Sequence, residues 1–448
     1  MVVEWSGIIF VLVILLFSML VIKLIDKKLK LHSEIKRKLF HMTMGLVMLT
    51  FPFIFTSYIS VVLVGIISLI VLLVLRNTKL KKSIGDVLYG VERESLGEVF
   101  FAISVVTIFY LSKGDKILYS IPILILTFAD SVAALIGKNY AKKNLAEANE
   151  DAKSIEGSFM FFMVAFMMCL VPLLLFTDVG REETLIISAI VGLNTCLIEM
   201  ISHTGNDNLL IPLTTFGLIC MHIKLDVWVL RRDLLILGVI FLLVMIANRI
   251  KTWSKLALAE TLVIGYLTIS LYGLYAIIPP LILFLTVLTL PKIKESEKQN
   301  LYDARIIETN VIIGIAICGI VAITGWRKEL FMIYATCYAM HLSINTYVRL
   351  KYYFNMSEID SIMFSICKGI GLLFIPSLII QKYVFHEFIT ISMLIFMIIA
   401  IILSSVLICW EKRNIKNEEI TIDNGYMHMK IVLIMTLLLF GLQKILIM

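Results

Sequence analysis

Four polar clusters interrupt an otherwise apolar chain, and their side chains are of the types that carry out phosphoryl or nucleotidyl transfer. The clusters read RKLFH from residue 37, RESLGE from residue 93, ADSVAALIGK with KSIEGS from residues 129 and 153, and E..S..G.DN from residue 199. Carboxylates hold metal ions or accept protons, whereas cations such as Arg37, Lys38 and His41 bind phosphate oxygens. Taken alone, each cluster also fits a structural role as an interfacial anchor, a charged helix start or a polar turn.

The most informative cluster contains Asp130, a carboxylate inside an apolar run and about two turns from its end. A carboxylate at the centre of a membrane helix costs roughly 2.5–3.5 kcal/mol to insert, so it usually has a partner or a function. Gly137 shares a helical face with Asp130, with Ala133 or Ala134 between them, and Lys138 follows. This face predicts either close helix packing or a metal-bound phosphate beside the carboxylate.

The segment KSIEGS opens the next apolar run and has the composition of an anion site. A helix N-terminus presents backbone N–H groups and the positive end of the helix dipole. Lys153 adds a positive charge for phosphate, and Ser154, Gly157 and Ser158 add hydroxyls and close backbone approach. An ordinary N-cap formed by Ser154 is the alternative interpretation.

The last cluster combines Glu199, a second carboxylate inside an apolar run, with Asp207 and Asn208 just beyond that run. Hard oxygen ligands of this kind suit Mg²⁺ that arrives on nucleotide phosphates. We therefore expect Asp130, Glu199 and Asp207 to bind Mg²⁺, with cations nearby for the phosphates and apolar walls for a lipid.

The composition places these clusters in a membrane protein. Of the 448 residues, 60% are hydrophobic and 16% are charged, and the mean hydropathy is +0.97. Apolar runs long enough to cross ~30 Å of hydrocarbon as helices recur from end to end. Helices satisfy their own backbone hydrogen bonds in lipid, so we predict an all-α, polytopic transmembrane helical bundle of about 14 to 16 spans.

The basic loops predict the orientation of the chain. Six basic residues lie between positions 26 and 38, and Lys and Arg also crowd positions 76–82, 138–153, 248–255, 292–298, 348–351 and 410–416. These loops fall on one side when the spans are counted, and Arg231 with Arg232 is the exception. The positive-inside rule then puts the N-terminus outside and the four clusters at the cytoplasmic face. The net charge of +7 fits loops that face anionic lipid, so nucleic acid is not an expected partner.

In this order, over residues 30–220, the clusters resemble the family of phytol kinases, dolichol kinases and CTP-dependent diacylglycerol kinases. The pair ADSVAALIGK and KSIEGS carries the resemblance most specifically, although Ala129 stands where the family more often has Gly. The resemblance implies transfer of the γ-phosphate of CTP, with Mg²⁺, to a membrane lipid alcohol. It implies catalytic roles for Asp130, Lys153, Glu156 and Asp207. The nucleotide and its metal would then be bound by Arg37, Lys38, His41, Gly137, Lys138, Ser154, Gly157, Ser158 and Asn208.

The resemblance covers about half of the chain. We therefore predict a kinase-like membrane domain over residues 1–225 and an additional transmembrane helical domain of unknown role over residues 226–448. Two other functions stay open. A phosphatidate cytidylyltransferase also uses CTP, although its long C-terminal signature with Lys-Asp and His-Gly-Gly is not seen in this sequence. A non-enzymatic lipid transporter or flippase would account for the many spans and the second half of the chain.

Overall fold

The chain folds into α-helices joined by short turns throughout the residues that the structure describes. The computed structural model describes residues 3–77, 97–140, 154–202, 205–249, 255–288, 317, 320, 327–352, 354–384, 386, 390–413 and 422–447. No strand occurs in these ranges, which confirms the all-α prediction. Six helices in them are long and apolar enough to cross a membrane, and four shorter apolar helices accompany them. The chain is thus a polytopic membrane protein, and the total of 14 to 16 spans stays a prediction.

The chain forms two compact units, residues 1–235 and 236–448. The predicted domain break at 225 precedes this boundary, and the predicted roles of the two halves stay predictions. The helices of the first unit are α1 (Trp5–Leu29), α2 (Ser33–Leu49), α3 (Phe51–Ile54), α4 (Tyr58–Asn77), α5 (Gly97–Ser112), α6 (Lys116–Leu124), α7 (Asp130–Tyr140), α8 (Ile155–Phe176), α9 (Arg181–Ile201), α10 (Asp207–His222) and the start of α11 (Val227–Arg249).

One transmembrane rod in the first unit is irregular where it approaches the site. It consists of α6, a π-helical segment over Ile125–Ala129, and α7. Pro122 lies inside α6 and cannot donate a backbone hydrogen bond to the preceding turn. The wider π turn follows directly and ends at Asp130, and such insertions often mark functional positions. The local break therefore sets the direction in which Asp130 leaves the rod.

Polar contacts show which helix ends of the first unit lie together. At one end, the backbone N–H of Thr56 donates to Glu4 at 2.9 Å, and Arg231 pairs with Glu182 at 2.6 Å. At the other end, Lys36 pairs with Asp26 at 3.1 Å. Each of these contacts joins helix ends that the predicted spans place on the same side of the membrane. Arg231, an exception to the one-sided distribution of basic residues, thus has an acidic partner. Arg232 also has one, Asp233, at 2.9 Å. That the other end faces the cytoplasm stays a prediction.

The second unit surrounds one long helix that is rich in polar residues. This helix is α14 (Arg327–Tyr352), and besides the rest of α11 the other α-helices that the structure describes there are α12 (Lys255–Tyr272), α13 (Ile278–Leu288), α15 (Glu358–Gly369), α16 (Ile375–Tyr383), α17 (Ile391–Arg413) and α18 (Ile422–Ile447). All six pack against α14. Thr336, His341, Ser343, Asn345 and Arg349 on α14 are buried, so its polar side chains face protein and not lipid.

Candidate active site

A buried ion pair between Lys38 and Asp130 forms the centre of the candidate site. The Nζ atom of Lys38 on α2 donates to Oδ2 of Asp130 on α7 at 2.6 Å. The two side chains expose only 7% and 9% of their surface. A carboxylate and an ammonium are tolerated at such depth when each compensates the charge of the other. The sequence left open whether the intramembrane carboxylate of Asp130 has a partner, and this contact shows that it has a cationic one.

Close packing between α2 and the π turn brings the two partners within reach. A Cβ atom on Gly45 would collide with the side chain of Thr127, so only glycine allows α2 to approach the rod at this level. One turn nearer the site end of α2, the Nε2 atom of His41 lies 3.3 Å from the carbonyl oxygen of Leu126. The same atom lies 3.6 Å from Oδ2 of Asp130. His41 and Lys38 therefore approach one carboxylate from the same helix.

The ion pair lines a pocket of about 610 Å³, a volume that includes its open mouth. Two cationic side chains, one imidazole and three carboxylates surround it, and the lining is Arg37, Lys38, His41, Glu98, Asp130 and Asp207, with Met44, Gly97, Phe101, Gly205 and Asn208. The structure thus brings together residues from the first, second and fourth sequence clusters and Asp130 from the third. A pocket with both charge signs can bind phosphate oxygens and also accept a proton.

Arg37 is held at the rim of the pocket by Glu34, which precedes the predicted span. Its Nε and Nη2 atoms donate to the two carboxylate oxygens of Glu34 at 3.1 and 2.6 Å. Burial alone would raise the pKa of Glu34, but the hydrogen bonds and charge of Arg37 outweigh burial and lower it. Burial likewise opposes the charge of Arg37, yet Glu34, Asp130 and Asp207 together raise the pKa of the guanidinium. Arg37 therefore stays cationic beside the pocket.

The start of α10 closes another side of the pocket. Gly205 has a φ of +93°, a left-handed conformation that glycine adopts without strain. The turn leads into Asp207, the first residue of α10, where a negative charge is favoured by the helix dipole. Asn208 donates from its Nδ2 atom to the carbonyl oxygen of Gly97 at 3.0 Å, which ties α10 to the start of α5. Asp207 and Asn208 thus line the pocket, and their predicted roles in binding metal and nucleotide stay predictions.

The glycines of the third cluster form a helix contact outside this pocket lining. Ser154 caps α8 by accepting a hydrogen bond from the backbone N–H of Gly157 at 3.0 Å. A Cβ atom on Gly157 would lie 3.0 Å from the carbonyl oxygen of Ala133, and 3.4 Å from Cα of Gly137. Both open interpretations of the sequence, the N-cap and close helix packing, describe what these residues do in the structure. Their predicted part in nucleotide binding stays a prediction.

The remaining predicted residues lie elsewhere or outside the described residues. Glu199 and Ser158 are buried on α9 and α8, and neither lines the pocket, nor does Glu156. Lys153 and the side chain of Lys138 fall outside the residues that the structure describes. The pocket adds Glu98, which lies in the first turn of α5 within the RESLGE cluster. That cluster was noted in the sequence, but nothing in it distinguished Glu98 from a charged helix start.

The acidic residues do not form a preassembled metal cage. No group of three or more His, Cys, Asp or Glu side chains with the geometry to hold a metal ion occurs in the described part of the chain. Mg²⁺ on a nucleotide needs only one or two carboxylates, because phosphates and water supply the other ligands. Glu98 and Asp207 in the pocket fit that requirement. Asp130 fits it less well, since Lys38 holds its Oδ2 atom.

An apolar groove of about 880 Å³ adjoins the polar pocket. Its walls are side chains of α1, α2, α4 and α5, with Phe51 of α3. Met44, Glu98 and Phe101 line both spaces, so the groove and the polar pocket meet at these three side chains. A molecule with a polar head and an apolar tail could occupy both at once.

Comparison with known proteins gives a partial match. The chain is 29% identical over 128 residues to the phytol kinase of Synechocystis sp.. These residues are 28% of this chain and 54% of the other, so the chain spans about half the length of the curated relative it matches. No protein-family model and no solved structure matches the chain. The match agrees with the resemblance to lipid-alcohol kinases and leaves donor and acceptor to be proposed.

Proposed function

We propose that this chain is a membrane lipid kinase that transfers the γ-phosphate of CTP to the hydroxyl of an isoprenoid alcohol, of phytol, polyprenol or dolichol type, or of diacylglycerol. The observation that carries the proposal is the contact between a charged pocket and an apolar groove, which share Met44, Glu98 and Phe101. A lipid alcohol has the same two parts. The similarity to a phytol kinase supports the same class of reaction.

In the proposed reaction, Asp130 accepts the proton of the acceptor hydroxyl. As that proton leaves, the alcohol oxygen bonds to the γ-phosphorus, the bond from this phosphorus to the bridging oxygen breaks, and CDP departs. Lys38 is paired with this carboxylate before the reaction, and its charge also favours an oxyanion nearby. His41 lies against Phe101 in an edge-to-face contact at 5.3 Å between ring centroids, which fixes the ring beside Asp130.

The nucleotide would enter at the opposite side of the pocket, between Arg37 and the start of α10. Arg37 stays cationic and can share charge with the transferring phosphate. Glu98 and Asp207 are the residues that would hold Mg²⁺, which when bound would neutralise part of the phosphate charge. We keep Lys153 as a candidate phosphate ligand from its sequence position, together with the capped start of α8.

A labelling experiment tests the proposed function. Membranes that contain the protein are incubated with γ-labelled CTP and a panel of lipid alcohols, in parallel with Asp130→Asn and with the exposed control Arg231→Gln. We expect labelled lipid phosphate from the wild type and the control but not from Asp130→Asn. If no alcohol is labelled while a known lipid kinase is active in the same assay, the proposal is wrong. Label that enters lipid from α-labelled CTP would indicate a cytidylyltransferase instead.

A transport function for the second unit is a second candidate, favoured by the polar residues along α14. Polar side chains inside a membrane bundle commonly mark the path of a substrate or ion. His341, Ser343 and Asn345 are buried together on this helix. Substituting Asn345 by Leu should leave phosphorylation intact and reduce lipid movement in reconstituted vesicles. Unchanged movement would remove this candidate.

A further inference from the structure

We propose that the apolar groove binds one hydrocarbon chain of the acceptor alcohol, and that Gly65 sets how long this chain can be. The identity of the occupant rests on the proposed function, whereas the shape of the groove does not. The substrate class is thereby narrowed to alcohols with a single chain of about the length of one membrane leaflet.

The groove has the lining and the length for such a chain. Its walls are hydrophobic apart from Glu98, which lies at the pocket end, and the hydroxyl of Ser68. The Ser68 hydroxyl alone offers fewer polar partners than an ordered water needs, so this part of the groove would hold little water. Lining residues on α4 run from Leu75 to Val61, and this separation corresponds to ~21 Å of helix. One leaflet supplies roughly 15 Å, half of the hydrocarbon core.

The groove runs away from the reacting groups toward the other membrane face. Leu75 lies at the end of α4 where Lys36 pairs with Asp26, which is also the end that carries the polar pocket. Val61 lies near the opposite end, one residue after Ser60, which donates a hydrogen bond to Glu4. An alcohol whose hydroxyl lies beside Asp130 therefore has its hydrocarbon chain along α4, in the direction of Val61.

The groove is held open by contacts at both ends of α1. Glu4 accepts hydrogen bonds from the hydroxyls of Ser60 and Thr56, the latter at 2.6 Å. Asp26 at the other end accepts from Lys36 at 3.1 Å. The middle of α1, including Leu15 and Met19, is thereby fixed as a wall of the groove without filling it. A site that is formed before its ligand arrives loses less entropy on binding.

Gly65 lies partway along the groove, where α4 and α5 approach each other. A Cβ atom at this position would lie 3.1 Å from Cγ2 of Val106, so even alanine makes a tight contact. A leucine would extend into the groove and leave only the part between positions 65 and 75, which is ~15 Å of helix. We expect Gly65→Leu to accept short alcohols and to discriminate against long ones.

The test measures relative kcat/KM for geraniol, farnesol, geranylgeraniol and a long polyprenol with wild type, Gly65→Leu and Gly65→Ala. For Gly65→Leu we expect kcat/KM to fall about tenfold for every two methylenes that the groove no longer accepts, while kcat/KM for geraniol is unchanged. Gly65→Ala should show a smaller fall. Gly238→Leu is the matched control, because Gly238 is an exposed helical glycine with nothing near an added Cβ. An unchanged chain-length profile in Gly65→Leu would overturn the inference.

A binding experiment separates failure of the groove from failure of the kinase. A long-chain alcohol with a photoreactive diazirine at its tail is cross-linked to the protein, and the labelled peptides are identified by mass spectrometry. We expect label on residues 61–65 and 105–106, in the part of the groove away from Asp130, reduced in Gly65→Leu but not in Gly238→Leu. This result without any phosphorylation would refute the proposed kinase and uphold the groove. Label spread over the lipid-facing helices would overturn the groove even in an active enzyme.

Discussion

Replacing Lys38 by methionine tests the buried ion pair most directly. Methionine keeps the length of the side chain but removes its charge, so Asp130 loses its ammonium partner. Both side chains are more than nine-tenths buried, so water screens this pair little. Removal of one member of such a pair typically costs about 3–5 kcal/mol of folding free energy. We expect a loss of this size in unfolding titrations in mixed micelles, and loss of lipid phosphorylation.

The double variant Lys38→Met/Asp130→Leu separates charge from packing. With no charge left to compensate, we expect most of the lost stability to return while activity stays absent. Arg231→Met is the matched control, because its ion pair with Glu182 is about half exposed on both sides and should matter little. The reasoning is refuted if Lys38→Met costs less than ~1 kcal/mol, the range of exposed pairs. Equal instability of the single and double variants would refute it too.

Three other expectations follow from single contacts. Asp207→Asn should raise the Mg²⁺ concentration needed for phosphorylation, whereas Glu199→Gln should leave it unchanged; equal shifts would contradict the pocket geometry. Gly45→Val should displace Thr127 and lower both activity and melting temperature, and an unaffected variant would show that α2 does not need its close approach. Burial would raise the pKa of Glu4, but hydroxyl donors hold it at about 2, below 4.5. The stabilisation that ionised Glu4 provides is therefore complete above pH 4.5 and lost as pH falls toward 2. In unfolding experiments at decreasing pH, the free energy of unfolding of the wild type should lose its advantage over that of Glu4→Gln. A constant advantage would contradict this prediction.

The fold class was predictable because lipid leaves the backbone few choices. Any apolar run of membrane length must satisfy its own backbone groups, so composition and run length indicate helices without knowledge of partners. Counting the predicted spans also placed Glu182 and Arg231 on the same side of the membrane, and in the structure these two residues form an ion pair. Length and hydropathy carry no information about lateral neighbours, so the arrangement of α1, α4 and α5 around a groove was not predictable.

The site was predictable in its residue types but not in its pairs. Asp130 was identified by its cost in lipid, and Lys38 by its charge, yet their contact depends on the π turn and on the close approach at Gly45. Neither feature has a reliable local signal, because both depend on packing against another helix. Glu199 had the same cost in lipid as Asp130, and the structure buries it away from the pocket lining.

The hydrogen bonds between Glu4 and Ser60 have a consequence for biogenesis. Ser60, the partner of Glu4, is made only after two further helices, so this end of α1 must wait in the bilayer until residue 60 has left the ribosome and α4 has inserted. Until then α1 has only α2 beside it, and the face that will pack against α4 is open to nascent neighbours or lipid. Chains arrested before α4 should therefore leave α1 accessible to insertion chaperones, and chains arrested after α5 should not.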